Sequence, residues 1–373
     1  MHIEIKQVKT KSELRRFVKF YTRLYKNNNN VAIPPHLDEL DTLNKKKNPA
    51  MAHSRAEYWV AYSNGKIVGR IAAIINYLEC IKLNKSIGRI GWFDFIDDHN
   101  VSEALLNTAT TWLRLNNIDT VHGPLGFTDL DKQGSLVEGF FEKGTYATNY
   151  NFEYYKDHYE NLGFTKSTDW VEYELKINSQ GLEKMNRIAE FVKHKYNVHA
   201  IDAKSKSSIK GYAPDIFMLM NECYKDLYGY IPLNTEQMEK YTKMFIGLIN
   251  PELIGLVADS NNKLIGFGIA MPSFTEAARK AKGKLIPTGW MHFLKALKKN
   301  DTLDLYLLAV DPEYQNKGVN SIIMSQIVNN AIKFGITKAE TNIELEDNIK
   351  VQDMWKFFDS RMHKRRRCYT KNL

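Results

Sequence analysis

The feature that most limits how this chain can fold is that it repeats itself once, at a spacing of 197 residues. Residues 57–76 read EYWVAYSNGKIVGRIAAIIN, and residues 253–272 read LIGLVADSNNKLIGFGIAMP. At that offset Val60 falls on Val257, Ala61 on Ala258, Ser63 on Ser260, Asn64 on Asn261, Lys66 on Lys263, Gly69 on Gly266 and Ala73 on Ala270. Each stretch is a pair of β-rich runs split by a turn, and Asn64-Gly65 is the strongest short hairpin signal. The flanking segments keep the same order. A helical pattern ending in Leu-Tyr (Leu24-Tyr25, Leu227-Tyr228) and then an Ile-Pro (Ile33-Pro34, Ile231-Pro232) lead into each hairpin. A buried strand, a helix, a strand, a short helix and a final strand follow each. The period is too long for a solenoid unit, so the chain reads as two domain-sized copies of one α/β unit, 1–177 and 182–373, joined by the polar stretch 178–181. A hairpin pairs antiparallel, whereas strand, crossover helix and strand require parallel pairing. Each copy is therefore expected to be a mixed sheet flanked by helices.

In the second copy, residues 305–310 form an apolar strand of the kind covered on both faces. After Gly318, Val319, Ile323, Ile327, Ala331 and Phe334 stand at helical spacing, and Gly335 supplies the stop. Between strand and helix, Gln315, Asn316, Lys317 and Gly318 can aim backbone N–H groups at one point. Gly318 allows close approach, Lys317 adds charge, and the helix start favours an anion such as a pyrophosphate. The same fold position in the first copy holds Asp97-Asp98-His99, which lacks glycine and carries two carboxylates that repel phosphate. No cofactor is expected there; Asn100 and Glu103 are expected to cap the helix, and His99 to lie at the surface.

The order of elements, together with the run Ala309-Val310-Asp311-Pro312-Glu313-Tyr314-Gln315-Asn316-Lys317-Gly318-Val319-Asn320, resembles the GNAT superfamily of acyl-CoA-dependent N-acyltransferases. The turn of that family is Q/R-x-x-G-x-G/A after a strand ending in V-x-P; here Asn320 stands at the last small position. By order of elements the resemblance covers both copies, but only the second has the turn. It implies two tandem GNAT-like domains, the first degenerate, with acetyl-CoA or another acyl-CoA held in the second. Pantetheine contacts are implied at the backbone of Leu308, Ala309 and Val310, and diphosphate contacts at Gln315, Asn316, Lys317, Gly318, Val319 and Asn320. Asn348, with Val351, Met354 and Trp355 after it, resembles the family's N-x-x-A-x-x-L-Y, so Asn348 is the implied pantetheine-contacting asparagine. Trp355 then occupies the place of the general-acid tyrosine, and an indole N–H is not acidic near neutral pH. Three readings stay open: protonation of the leaving thiolate by water, which is favoured, use of another hydroxyl such as Tyr306 or Tyr369, or loss of the chemistry. Glu340 and Glu344 share a strand face by alternation and are the candidate bases for an amine proton. In the first copy, Tyr159-Glu-Asn-Leu-Gly163-Phe164 resembles the family's L-Y-x-x-x-G-F ending, which suggests a copy kept for shape or substrate contact.

The Gly- and Asp-rich segment 122–139 and the aromatic stretch 146–159 are expected to carry binding groups, with Phe127, Tyr150, Tyr154 and Tyr155 around an acceptor near the junction of the copies. Composition excludes other classes. The formal charge of +9 suits an anionic ligand, but it is spread along the chain, and no nucleic-acid motif accompanies the clusters at 45–47 and 364–367. Cys80, Cys223 and Cys368 are far apart, so neither a disulfide framework nor a metal site is expected. No apolar run approaches the roughly 20 residues of a membrane helix, and no signal-peptide pattern is present. The expectation is a cytoplasmic protein without a membrane partner. The resemblance implies an N-acetyltransferase acting directly on a small-molecule or peptide amine. An aminoacyl or long-chain acyl transferase, or a non-catalytic CoA-binding or interaction protein, is the alternative.

Overall fold

The computed structural model describes residues 2–373. The chain divides into two compact units. One comprises the residues up to Trp170 together with Phe274–Phe293 and Lys364–Leu373; the other comprises Val171–Ser273 and Leu294–His363.

In the first unit, strands Glu4–Gln7, Ser54–Ser63, Lys66–Asn76 and Ile87–Phe95 pair antiparallel in sequence order. Ile87–Phe95 pairs parallel with Thr120–Gly123. Asn64 and Gly65 both take left-handed backbone, φ 49° and 73°, as the tight hairpin turn requires. Helix His99–Leu115 makes the parallel crossover and buries Val101, Leu105, Ala109 and Leu113. It lies so close to the hairpin that a Cβ on Gly69 would meet Leu105 Cδ1 at 2.6 Å.

The second unit repeats this plan. Strands Ile254–Ala258 and Leu264–Pro272 form the hairpin, and Thr302–Val310 adds antiparallel to Leu264–Pro272. Helix Val319–Lys333 then crosses to Lys338–Thr341, which pairs parallel with the start of Thr302–Val310. Gly266, the counterpart of Gly69, faces the crossover helix in the same way, a Cβ there meeting Ile323 Cδ1 at 3.0 Å. The glycine that the two hairpins share is thus a helix-packing position in both units. Ile323, Ile327, Val328 and Ala331 bury one face of this helix in the core, and Met185, Ala189 and Val192 of helix Ser179–Tyr196 share that core.

The domain boundaries read from the sequence differ from this division at the final strands. Residues 174–176, the end of strand Thr165–Lys176, pair antiparallel with residues 338–340 in the second unit. Residues 369–372, the end of strand Asp359–Asn372, pair antiparallel with Thr120–Gly123 in the first. Each unit's strands therefore include one contributed by the other half of the sequence. Periodicity gives the order of elements but not which open edge a last strand joins, so the repeat alone places 364–373 with the second copy.

Candidate active site

The glycine turn sits where the second unit's central strand loses a neighbour. Thr302–Val310 pairs with Lys338–Thr341 only as far as Leu305↔Thr341, yet with Leu264–Pro272 as far as Val310↔Gly266. Residues 306–310 therefore splay away from the parallel strand and open one edge. At the strand end, the Asp311 N–H donates to Ile265 O at 2.8 Å. Its carboxylate accepts the Glu313 N–H at 3.0 Å and faces Lys263 Nζ at 3.2 Å. A single 3-10 turn, Pro312–Tyr314, leads to Asn316 and Gly318, both left-handed at φ 60° and 82°. Gly318 is the N-cap of helix Val319–Lys333 and its carbonyl accepts the Ser321 N–H at 2.9 Å, which leaves the N–H groups of Val319 and Asn320 without intrahelical acceptors beside the turn. A Cβ at Gly318 would stand 3.0 Å from Val192 Cγ2, so another residue here would be both strained in its backbone and crowded by Val192. The turn fits a diphosphate.

Its side chains differ in what they offer. Lys317 Nζ lies 4.9 Å above the Tyr314 ring and 5.5 Å above that of Tyr196, which keeps its charge beside the turn. Gln315 donates to Val310 O at 3.2 Å and closes the loop rather than reaching outward. Val319 is buried in the core, whereas Asn320 is only half-buried, so the helix start accommodates asparagine in place of a small residue.

The open strand edge is already covered from helix Lys206–Tyr224, which the sequence did not suggest. Tyr224 donates its hydroxyl proton to Leu308 O at 2.9 Å and accepts the Leu308 N–H at 3.2 Å. Cys223 Sγ donates to Val310 O at 3.3 Å; burial pushes its thiol up to about 11, so it stays neutral there. Since alternate residues of a strand face opposite neighbours, Leu308 and Val310 address this edge while Ala309, opposite Phe267, addresses the ladder. Ala309 is thus the one implied backbone contact that faces the wrong way. A ligand pairing at Leu308 must displace the Tyr224 hydroxyl. Tyr224→Phe is expected to tighten CoA binding about fivefold, the equivalent of one net hydrogen bond of about 1 kcal/mol. Isothermal calorimetry would read it, and unchanged or weaker binding would show that the hydroxyl does not compete.

Beyond the parallel strand lie the candidate acid–base groups. Strand Lys338–Thr341 ends before Glu344, which starts the short strand Glu344–Leu345, so Glu340 and Glu344 do not share one continuous face as alternation suggests. Glu340 stands opposite Glu174 in the sheet, 3.9 Å from His363 Nε2. Glu344 has a different environment. The Trp355 indole N–H is shared between its two oxygens at 2.9 and 3.0 Å, and Trp355 itself is buried. Desolvation pushes the Glu344 carboxyl up to about 8, only partly offset by the hydrogen bonds from Trp355 and Thr341. The tryptophan at the implied tyrosine position therefore positions a carboxyl poised near neutral pH. Asn348 caps the short helix Ile349–Gln352 through its backbone, and its side chain makes no cap hydrogen bond.

The remaining expected site residues are placed elsewhere. Tyr369 is fully buried in the first unit, stacked on Tyr159 at 4.3 Å, and desolvation raises its phenol, so it is a packing residue and no proton donor. Phe127, Tyr150 and Tyr155 are buried as well. Tyr150 donates to Phe140 O at 2.8 Å, Tyr155 receives the Tyr25 hydroxyl at 3.0 Å and the Phe95 N–H at 3.2 Å, and Tyr154 donates to Phe95 O at 2.5 Å. These aromatics hold the long segment against its own unit and present no lining for an acceptor. The first unit's helix start is also filled: Asp98 caps His99–Leu115 by accepting the Asn100 N–H at 2.9 Å, in place of the expected Asn100 and Glu103, and Asp97 faces His158 Nε2 at 3.0 Å. Among the described residues no group of three His, Cys, Asp or Glu side chains gathers for a metal ion, and no helix is long and apolar enough to cross a membrane.

A hairpin, a strand that splays at its end and a crossover helix, built twice with the glycine turn in one copy, define a tandem GNAT-like fold. Residues 214–359 match the family described as Acetyltransferase (GNAT) family. A tandem GNAT protein from the clavulanic acid biosynthesis pathway, solved without AcCoA, superposes with a TM-score of 0.57 over 100% of this chain and 98% of its own, at 13% identity. A GCN5-related N-acetyltransferase from Sphaerobacter thermophilus gives 0.53 over 99% and 95%, at 8% identity. In sequence the chain is 26% identical to protein YghO of Escherichia coli (strain K12), over 97% of this chain and 94% of YghO. It is 24% identical to the bacterial ceramide synthase of Caulobacter vibrioides, over 98% and 96%.

Proposed function

We propose that the chain is an acyl-CoA-dependent N-acyltransferase that forms an amide by direct transfer, with Glu344 as its proton-transfer group. The observation that carries this reading is the Glu344–Trp355 hydrogen-bonded pair, with Trp355 buried in the core shared with the helix after the glycine turn, in a unit matched by an acetyltransferase family. The turn at Gly318 holds the diphosphate, and Leu308 and Val310 receive the pantetheine arm once Tyr224 withdraws. The amine nitrogen attacks the thioester carbonyl; the C–N bond forms, the C–S bond breaks, and the nitrogen loses one proton. A carboxyl near pH 8 can accept that proton and return it to a thiolate whose reference pKa is about 8.5. This offers a route to thiol release that needs neither a tyrosine nor bulk water.

Two donors divide the reading. An acetyl group is what the turn alone suggests. The full-length match to a ceramide synthase favours a second reading, a fatty acyl group passed to a long-chain amine, because a ceramide is a fatty amide of a long-chain amino alcohol. Release of free CoA thiol, followed with acetyl-CoA and palmitoyl-CoA over a panel of small, peptide and long-chain amines, tests both. Turnover with one donor and amide product identified by mass assigns it. Binding of both donors without turnover on any amine would leave a CoA-binding protein and overturn the enzymatic reading.

A further inference from the structure

We propose that the segment from Lys280 to Lys299 is a membrane-surface element that lays an apolar face on anionic lipid. A face that lies on a bilayer leaves no spanning apolar run in the sequence and appears only with side-chain exposure. Helix Gly289–Lys298 turns Phe293 inward, its ring 5.5 Å from Phe274 and 6.0 Å from Tyr146. Beside it Trp290, Met291 and Leu294 are each about half exposed, and Ile286 in the preceding loop is 81% exposed. The loop is built, not frayed. The Trp290 N–H donates to Leu285 O at 2.9 Å, its indole N–H to Pro287 O at 2.9 Å, and any Cβ at Gly289 would run into Lys284 O. Four large apolar side chains are therefore held in water by a fixed backbone.

Charge decides the occupant. Between Glu276 and Asp301 the sequence has six lysines and no acidic residue. Lys280, Lys282, Lys284, Lys295, Lys298 and Lys299 are all exposed, and they flank the apolar side chains at both ends. Tryptophan and aliphatic side chains ringed by lysine suit the boundary between headgroups and acyl chains of an anionic bilayer, where each lysine adds attraction. Among the described residues no helix is long and apolar enough to cross a membrane, and the proposed contact is one that lies on the surface. The inference stands apart from the acyltransferase reading, since vesicle binding requires neither donor nor acceptor.

Co-sedimentation of the full chain with vesicles tests it. The protein is expected to pellet with phosphatidylcholine vesicles containing about one third phosphatidylglycerol, to remain in the supernatant with phosphatidylcholine alone, and to be released by high salt. The triple variant Ile286→Ser, Trp290→Ser, Leu294→Ser should lose pelleting. A second triple variant, Lys284→Gln, Lys295→Gln, Lys298→Gln, should weaken it by about fivefold per lysine. Leu115→Ser, at an exposed leucine on another helix, should pellet like the wild type. Circular dichroism verifies that each variant is folded. Wild-type protein that stays in solution with anionic vesicles, or folded variants of both kinds that pellet unchanged, would overturn the proposal. So would a dimer in solution that the first variant dissociates without any vesicle binding, which would assign the face to a second copy of the chain.

Discussion

Glu344→Gln is expected to lower kcat/KM by about 10²–10⁴-fold, the usual contribution of a positioned acid–base group, while leaving CoA affinity in calorimetry unchanged. The pH dependence carries the sharper signature. Because the carboxyl sits at about 8, the base form accumulates as pH rises, so wild-type kcat/KM should climb through that pH and flatten above it. The limb should vanish in Glu344→Gln. Trp355→Phe removes a hydrogen bond that lowers this pKa, so its limb should move to higher pH with donor affinity preserved. Stability gives an independent reading. The folded-state value lies above the ordinary 4.5, so protonated Glu344 is favoured by folding, and this stabilisation is complete below pH 4.5 and lost as pH rises through about 8. At about 1.4 kcal/mol per unit, the cost above pH 8 is on the order of a few kcal/mol. Glu344→Gln should therefore be more stable than wild type at alkaline pH while being far less active. A variant with the wild-type rate and pH profile would remove Glu344 from the chemistry.

Gly318→Glu is expected to abolish CoA binding. Three effects act together: a φ of 82° that side chains resist, a Cβ 3.0 Å from Val192, and a carboxylate at the helix N-terminus where the diphosphate must sit. Gly318→Ala carries the first two without the charge and should bind weakly, so the pair separates shape from electrostatics. Calorimetry on variants of native circular dichroism measures both. Equal affinity for wild type and Gly318→Glu would overturn the assignment of the turn.

What the sequence made legible was local. The Asn64-Gly65 hairpin, the strand that feeds the turn, and the helix after Gly318 each follow from contiguous residues whose backbone preferences agree. What it hid depended on partners far along the chain. Tyr224 reaches a strand 84 residues later, and its covering of Leu308 leaves no trace in spacing. Trp355 read as a missing acid because its partner, 11 residues back across an irregular strand, could not be seen. The aromatics at 127 and 150–155 were expected around an acceptor because Gly- and Asp-rich loops often carry binding groups. Here three of the four pack into their own unit's core instead, and Tyr154 is partly buried beside them. Composition separates polar from apolar, but it does not say which apolar loop residues find a core.

The exchanged last strands reach into how the protein is made. A ribosome releases the first half of the sequence well before it reaches strand Asp359–Asn372, whose final residues pair with the edge of Thr120–Gly123. At about 5–20 residues per second, that edge waits on the order of ten seconds or more with its backbone N–H and C=O groups unpaired. A nascent chain of this design needs either a chaperone at that edge or a first half that stays loose until its closing strand arrives.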